Sequence, residues 1–134
     1  MPRDTINPDS MYTSVPFGFS QATRSVGGTT IHCSGQVAWD KQCEVIGGSD
    51  LGAQARQVMQ NLKAVLEEAG ASSADVVRMR TYVVDYSPAC LEPIGKAIAE
   101  FYGDELPPAN TLLGVQSLAM PEFLIEVEVT AVID

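Results

Sequence analysis

The chain has 134 residues, of which 46% are hydrophobic and 19% charged, and its formal net charge at pH 7 is −9. This length and composition are typical of a single packed globular domain, here residues 1–134, and exclude a largely disordered chain. Seventeen acidic residues against eight basic ones argue against a nucleic-acid partner and against an anionic membrane surface, because both attract Lys and Arg.

The cysteines and the apolar segments of the chain indicate a cytoplasmic protein. Cys33, Cys43 and Cys90 form no CxxC pair and have no metal-ligand spacing, so we expect reduced thiols. Residues 1–19 contain no apolar stretch of the length that a signal peptide needs. No uninterrupted apolar run of about 18 residues occurs that could span a bilayer.

The first third of the chain is predicted to contain an arm and two strands. Residues 1–16 carry three prolines among polar residues and are expected to be an irregular arm. Residues 18–25 are predicted as a strand, and residues 29–39, rich in β-branched side chains, as a second and longer one. Gly35 inside the second strand indicates a bulge, or a point where another group approaches the backbone closely.

Two amphipathic helices and three more strands are predicted in the remainder. The first helix begins at a cap on Ser49 or Asp50 and ends at Gly70, with apolar side chains recurring at three- and four-residue steps. The second begins near Glu92 and ends at Gly103. The predicted strands cover residues 76–85, 110–118 and 124–133.

The resulting order, β-β-α-β-α-β-β, predicts a two-layer α+β domain with both helices on one face of a mixed sheet. In the last strand the polar residues Glu126, Glu128 and Thr130 alternate with apolar ones, so they share the face opposite the helices. That polar face is covered either by solvent or by other subunits, and the alternation alone does not choose between them.

Most of the common catalytic patterns are absent from the sequence. His32 is the only histidine, which excludes a histidine-based triad and a two-histidine metal site, and a structural role in a strand is the commoner one. Cys33 adjoins Ser34 and Gly35 and is a candidate nucleophile. It has no cationic neighbour in the sequence, however, and buried inert cysteines are more common.

Three charged side chains remain as candidates. Arg78 and Arg80 lie on one face of a predicted strand, where they could clamp a carboxylate or form ion pairs with the many acidic groups. Glu126 is flanked by apolar residues in the last strand. A partly buried carboxylate tends to have a raised pKa, which marks either a functional site or a structural network.

Six segments in chain order, spread over nearly the whole length of the chain, resemble the RidA (YjgF) family. They are Phe17–Ala22, Ser34–Val37, Gly47–Gly48 with Ala53–Gln57 and Asn61–Leu66, Ala69–Ser72 with Asp75–Val77, Pro108–Thr111, and Ile125–Glu128. The resemblance implies a chorismate-mutase-like fold and a homotrimer with small-molecule clefts between its subunits. Active members hydrolyse reactive enamines and imines, such as 2-aminoacrylate, to a keto acid and ammonia without any metal or organic cofactor.

The resemblance also implies roles for individual residues. Glu126 matches the glutamate that positions the attacking water, and Ser34 and Gly35 match pocket-lining positions. Leu112 occupies a position where the family often has cysteine, and Phe19 replaces a tyrosine.

Asn110 occupies the position of the arginine that binds the substrate carboxylate, which makes the chain a divergent member. An amide offers neutral donors and no charge, so it cannot replace the arginine equally. Either the ligand is not a simple 2-imino acid, or another cation such as Arg80 reaches the site, or the chain no longer performs this chemistry. We therefore expect weak or absent 2-aminoacrylate hydrolysis.

Two alternatives to an imine or enamine hydrolase remain open. The first is a non-catalytic trimer that binds a metabolite or a partner in the same cleft. The second is the endoribonuclease or translation-inhibitor role sometimes attached to the family, which the net charge of −9 disfavours.

Overall fold

The computed structural model of the protein describes residues 3–134. Its two helices are α1, Leu51–Glu68, and α2, Leu91–Tyr102. Its strands are β1, Asp4–Ile6; β2, Ala22–Arg24; β3, Thr29–His32; β4, Val76–Val84; β5, Ala109–Val115; and β6, Ile125–Ile133. Both predicted helices and the three later strands are confirmed, with ends that differ by a few residues. Within residues 3–134, neither helix is long and apolar enough to cross a membrane.

The main sheet has four strands in the order β3-β6-β4-β5. Strands β4 and β5 are parallel, whereas β6 runs antiparallel to both of its neighbours, β3 and β4. Two parallel strands need a long crossover, and α2 supplies it between β4 and β5. The predicted mixed sheet is therefore confirmed, with β6 and β4 at its centre.

Both helices cover one face of this sheet. Strand β6 turns Ile125, Val127 and Val129 into the core, where they join buried side chains of α1 and α2 in one apolar cluster. From β4, Met79 and Val83 point into the same core. The alternating residues of these strands lie on the opposite side, here called the polar face. It comprises His32, Arg78, Arg80, Tyr82, Glu126, Glu128 and Thr130.

The N-terminal arm is more regular than its composition indicated. Residues 4–6 form β1, which pairs antiparallel with β2, so the expectation of an irregular segment through residue 16 is wrong for these residues. The Arg3 guanidinium donates to the carbonyls of Val76 and Leu106 and lies over the ring of Tyr102. The partners of Arg3 are far from it in the sequence. A three-residue strand without a hydrophobic period therefore could not be predicted from residues 1–16 alone.

The strand predicted over residues 29–39 is shorter than expected. Regular pairing of β3 with β6 ends at His32. The chain then stays beside β6, where it is joined to this strand by isolated backbone hydrogen bonds. Cys33 N donates to the carbonyl of Val129, and Gln36 N donates to the carbonyl of Val127. Between these two contacts the backbone leaves the ladder around Gly35, which is consistent with the predicted bulge or close approach.

The two helices follow their predicted patterns with one informative exception. The Asp50 carboxylate accepts a hydrogen bond from Ala53 N at 3.1 Å and caps α1, and Gly70 follows the helix with a φ of +80°. Gln54, a polar residue of α1, is fully buried. Its amide donates to the carbonyls of Gly48 and Glu122, and its oxygen accepts from Leu124 N. Gln54 thus joins α1 to the start of β6.

Candidate functional site

Glu126 and Gly35 lie in direct contact on the polar face. A Cβ atom added at Gly35 would lie 2.0 Å from Oε2 of Glu126 and 2.8 Å from its Cδ. Only glycine leaves room for a carboxylate so close to the backbone. The close approach predicted at Gly35 is therefore confirmed, and the group that approaches is the carboxylate of Glu126. Ser34, which precedes Gly35, is exposed beside it.

The environment of Glu126 favours its protonated form. Burial raises the pKa of this carboxyl above its ordinary value, and the neighbouring charge of Glu128 raises it further. The group is only partly buried, so it remains accessible to a ligand and to water. A carboxyl whose pKa is shifted towards neutrality can both accept and return a proton, which is the task of a general base or acid.

Tyr82 and Glu128 form a second polar contact next to Glu126. The Tyr82 hydroxyl donates to Oε1 of Glu128 at an oxygen–oxygen distance of 2.5 Å. This hydrogen bond is the main reason that the pKa of Tyr82 is raised, while Arg80 acts in the opposite direction. Neither Tyr82 nor Glu128 was among the predicted site residues. The strand alternation placed Glu128 on the polar face, but only the register between β4 and β6 brings Tyr82 to it.

Asn110 and Leu112 lie on the other side of the sheet. In the parallel pairing of β4 with β5, Met79 is opposite Asn110 and Thr81 is opposite Leu112, so both β5 residues share the helix-facing side. Oδ1 of Asn110 accepts a hydrogen bond from Oγ1 of the buried Thr81 at 3.2 Å. The amide is thus held on the face of the sheet opposite to that of Glu126.

Phe19 lies beside the segment that leads into β5. The next residue, Ser20, donates its amide to the carbonyl of Pro108 at 3.0 Å and its hydroxyl to that of Pro107 at 2.6 Å. The Phe19 ring packs edge-on against Tyr12. We call Phe19, Asn110 and Leu112 the asparagine group, and Ser34, Gly35 and Glu126 the glutamate group.

One chain does not bring these two groups together. Strand β4 separates β6 from β5, and neighbouring strands are about 4.8 Å apart, so the two groups are separated by about 10 Å across the sheet as well as by its two faces. Arg80, the possible substitute cation, is exposed on the polar face, where it pairs in register with Glu128. It therefore lies on the side of the glutamate group and not beside Asn110.

Cys33 and His32, the two other candidates from the sequence, are not part of the contact between Glu126 and Gly35. Burial raises the pKa of the Cys33 thiol, which disfavours the nucleophilic thiolate. His32 is exposed at the far end of the polar face, where a shallow groove of about 250 Å³ is lined by His32, Arg78, Arg80, Glu128 and Thr130. A cleft of about 390 Å³ lies between α1 and α2, but none of the predicted site residues lines it.

Comparisons with known proteins agree with this architecture. The model of the family described as Endoribonuclease L-PSP matches residues 13–133. A RutC family protein of Pyrococcus abyssi is 35% identical over 117 residues, which cover 87% of each chain. The crystal structure of YyfB from Yersinia pestis, described as a Rid family protein of unknown function, is 56% identical with a TM-score of 0.96. That match covers 99% of this chain and all of YyfB.

A second solved structure carries the RidA name itself. RidA from the Antarctic bacterium Psychrobacter is 30% identical, with a TM-score of 0.69 over 85% of this chain and 87% of its own. The family model and the 35% identical relative each cover most of the chain, and the solved structures share its two-helix, mixed-sheet arrangement. The chain therefore belongs to the Endoribonuclease L-PSP family, which is also the RidA (YjgF) family.

Proposed function

We propose that the protein is a homotrimer that hydrolyses an imine or enamine metabolite in clefts between its subunits. The observation that carries this proposal is the Glu126 carboxyl, pressed against Gly35 with a raised pKa on an accessible sheet face. Such a group can handle the proton of an attacking water. The proposed reaction uses no metal or organic cofactor. We place it in the cytoplasm, where the free thiols of Cys33, Cys43 and Cys90 stay reduced.

The proposed reaction needs one carboxylate that first takes and then returns a proton. An enamine tautomerises to the imine, and the oxygen of water then bonds to the imine carbon while Glu126 accepts a proton from that water. Glu126 returns this proton to the nitrogen, which gives a carbinolamine. Glu126 then carries the proton of the carbinolamine hydroxyl to the nitrogen as the carbon–nitrogen bond breaks, so that ammonia and a carbonyl compound are released. A pKa raised towards neutrality suits both halves of this exchange.

The ligand-binding residues follow from the two groups on the sheet. Ser34 and Gly35 line the cleft beside Glu126, and Arg80 on the same face is the cation proposed to attract an anionic substrate group. Asn110, with Phe19 and Leu112, lines the cleft from a neighbouring subunit. Because Asn110 is neutral, the proposed activity on 2-aminoacrylate is weak or absent.

In the proposed trimer the asparagine group of one subunit would meet the glutamate group of another. In one chain the asparagine and glutamate groups face opposite ways, whereas a neighbouring subunit could present its asparagine group to the first subunit's Glu126. A further feature of the polar face also favours a covering subunit, because Leu113, opposite Tyr82 in register, is 50% exposed there.

Light scattering in ordinary buffer should report about three times the chain mass of 14.3 kDa. We expect a trimer because the polar face is open in the single chain and neighbouring subunits would bury it. A monomer that persists across micromolar concentrations would contradict both the trimer and the intersubunit cleft.

The proposed reaction is tested by ammonia release from imines and enamines generated in situ by an amino-acid dehydratase or oxidase. We expect turnover above background hydrolysis for at least one substrate, and we expect Glu126→Gln to lower kcat by about 10²-fold or more while the oligomer stays intact. Glu100→Gln, an exposed carboxylate on α2, is the matched control and should behave like the wild type.

Two other functions predict different outcomes in the same assays. A non-catalytic trimer would bind such compounds without releasing ammonia above background. An endoribonuclease would cleave single-stranded RNA with a strong dependence on salt, which the net charge of −9 opposes. RNA cleavage that is lost in Glu126→Gln would overturn the proposed reaction.

A further inference from the structure

A second carboxylate lies next to the proposed catalytic one, and the two have different partners. Tyr82 is directly opposite Glu126 in the pairing of β4 with β6, and Arg80 is opposite Glu128. The phenol of Tyr82 does not bond to the carboxylate that it faces. It donates instead to Oε1 of Glu128, two residues further along β6, at 2.5 Å. The Arg80 guanidinium also acts on this hydroxyl.

We infer that Tyr82 is a positioning residue that fixes the Glu128 carboxyl group beside Glu126, the group that exchanges the proton. The inference rests on the proposed function and assigns a role within the same site. Tyr82 touches neither water nor substrate in this scheme. It acts through Glu128, and Glu128 acts on Glu126 through its charge.

Two carboxyl groups that lie close together influence each other's protonation through their charges. Residues two apart on one strand face are about 7 Å apart, near enough for each charge to influence the other. A short hydrogen bond from a phenol holds the carboxylate that accepts it in one place. Glu128 has such a donor, whereas the carboxyl of Glu126 is desolvated against Gly35. Carboxyls whose surroundings differ in this way typically divide acid–base roles between them.

The charges around Glu126 agree with this division. Tyr82 faces it from β4, and in the segment after β3 the uncharged Gly35 lies against it, next to Ser34. Arg80 and Glu128 lie one row away, and His32 and Arg78 lie two rows away beside Thr130. Burial is the main reason that the pKa of Glu126 is raised. The negative charge of Glu128 raises this pKa further.

The inference is tested by a carbon-13 NMR titration of the glutamate side-chain carboxyls in the ligand-free protein. In the wild type we expect Glu126 to titrate in a single step above the ordinary glutamate range. In Glu128→Gln this midpoint should move to lower pH, because the repelling charge is gone. In Tyr82→Phe the Glu128 carboxyl group is no longer held beside Glu126, so the Glu126 midpoint should move in the same direction as in Glu128→Gln. Tyr86→Phe, which removes a phenol at the end of β4, is the matched control.

Two outcomes separate this inference from the proposed reaction. If the titrations change as expected but no imine is hydrolysed, the role of Tyr82 within the carboxylate pair stands and the reaction is wrong. If Glu126-dependent turnover is found but the Glu126 titration in folded Tyr82→Phe and Glu128→Gln coincides with that of the wild type, the positioning role is overturned. Thermal melting and light scattering of each variant show that the compared proteins are folded.

Discussion

Replacing Asn110 with arginine is expected to raise the kcat/KM for 2-aminoacrylate about five- to hundredfold. A charge-assisted, two-pronged contact to the substrate carboxylate would contribute about 1–3 kcal/mol to substrate and transition-state binding. Asn110 is half-buried on the edge strand β5, where its side chain accepts a hydrogen bond from Thr81, so a longer side chain can leave this contact and reach solvent. The measurement is ammonia release from 2-aminoacrylate generated by a dehydratase, corrected for spontaneous hydrolysis.

The gain must come from charge at this position rather than from charge in general. Thr111→Arg adds the same charge to the next residue, on the opposite face of β5, and should give no comparable gain. Asn110→Gln lengthens the side chain without charge and should not improve turnover. Glu126→Gln should abolish the gain of Asn110→Arg. Robust wild-type turnover that survives Glu126→Gln would mean that the assignment of the site is wrong.

The phenol that Phe19 lacks limits the size of this effect. The resemblance places a tyrosine at this position, and its hydroxyl would offer the ligand a polar contact that a phenyl ring cannot make. Arginine at residue 110 therefore restores one of two missing polar groups, which is why the lower end of the expected range is only fivefold.

Gly35→Ala is expected to lower kcat/KM about ten- to hundredfold, measured in the Asn110→Arg background, with little loss of stability. The new methyl group would lie 2.0 Å from Oε2 of Glu126, which is too close, so the carboxylate must move. The carboxylate is the end of a flexible side chain, so it can swing away without disturbing the sheet. A displacement of about 1 Å in a catalytic group can cost about 10²-fold in rate.

The displaced carboxylate should also titrate differently. Burial is the first cause of the raised pKa of Glu126, so a side chain pushed towards solvent should titrate at lower pH. Gly95→Ala is the matched control, because a Cβ there, in the middle of α2, meets no atom within 4 Å. If Gly35→Ala keeps full activity and an unchanged Glu126 titration, the contact between the two residues has no functional importance.

The raised pKa of Glu126 also gives the stability of the protein a pH dependence of known sign. The folded state holds this proton more tightly than the unfolded chain, so its contribution to stability is present at acidic pH. It is lost as the pH rises through the folded-state pKa. Glu126→Gln, which removes the charge, should therefore not destabilise the fold at neutral pH. A loss of activity in this variant can then be assigned to catalysis and not to unfolding.

The sequence by itself determined the features that depend on local periodicity and on short motifs. The 3.6-residue pattern and the caps located α1 and α2, and the alternation in β4 and β6 located a polar face and an apolar one. The glycine inside a strand pattern indicated the close approach at Gly35. These signals are reliable because side-chain direction within one helix or strand is set by local backbone geometry.

Only the tertiary structure decided which residues meet. Arg3 holds β1 through carbonyls about 70 and 100 residues away, and Gln54 is buried because three backbone groups outside α1 bond to it. The pairing of Tyr82 with Glu128 and the separation of Asn110 from Glu126 follow from strand order and register. Register is a property of two strands brought together by folding, and a shift of one residue would reverse the face of every side chain, so no single segment of the sequence contains it.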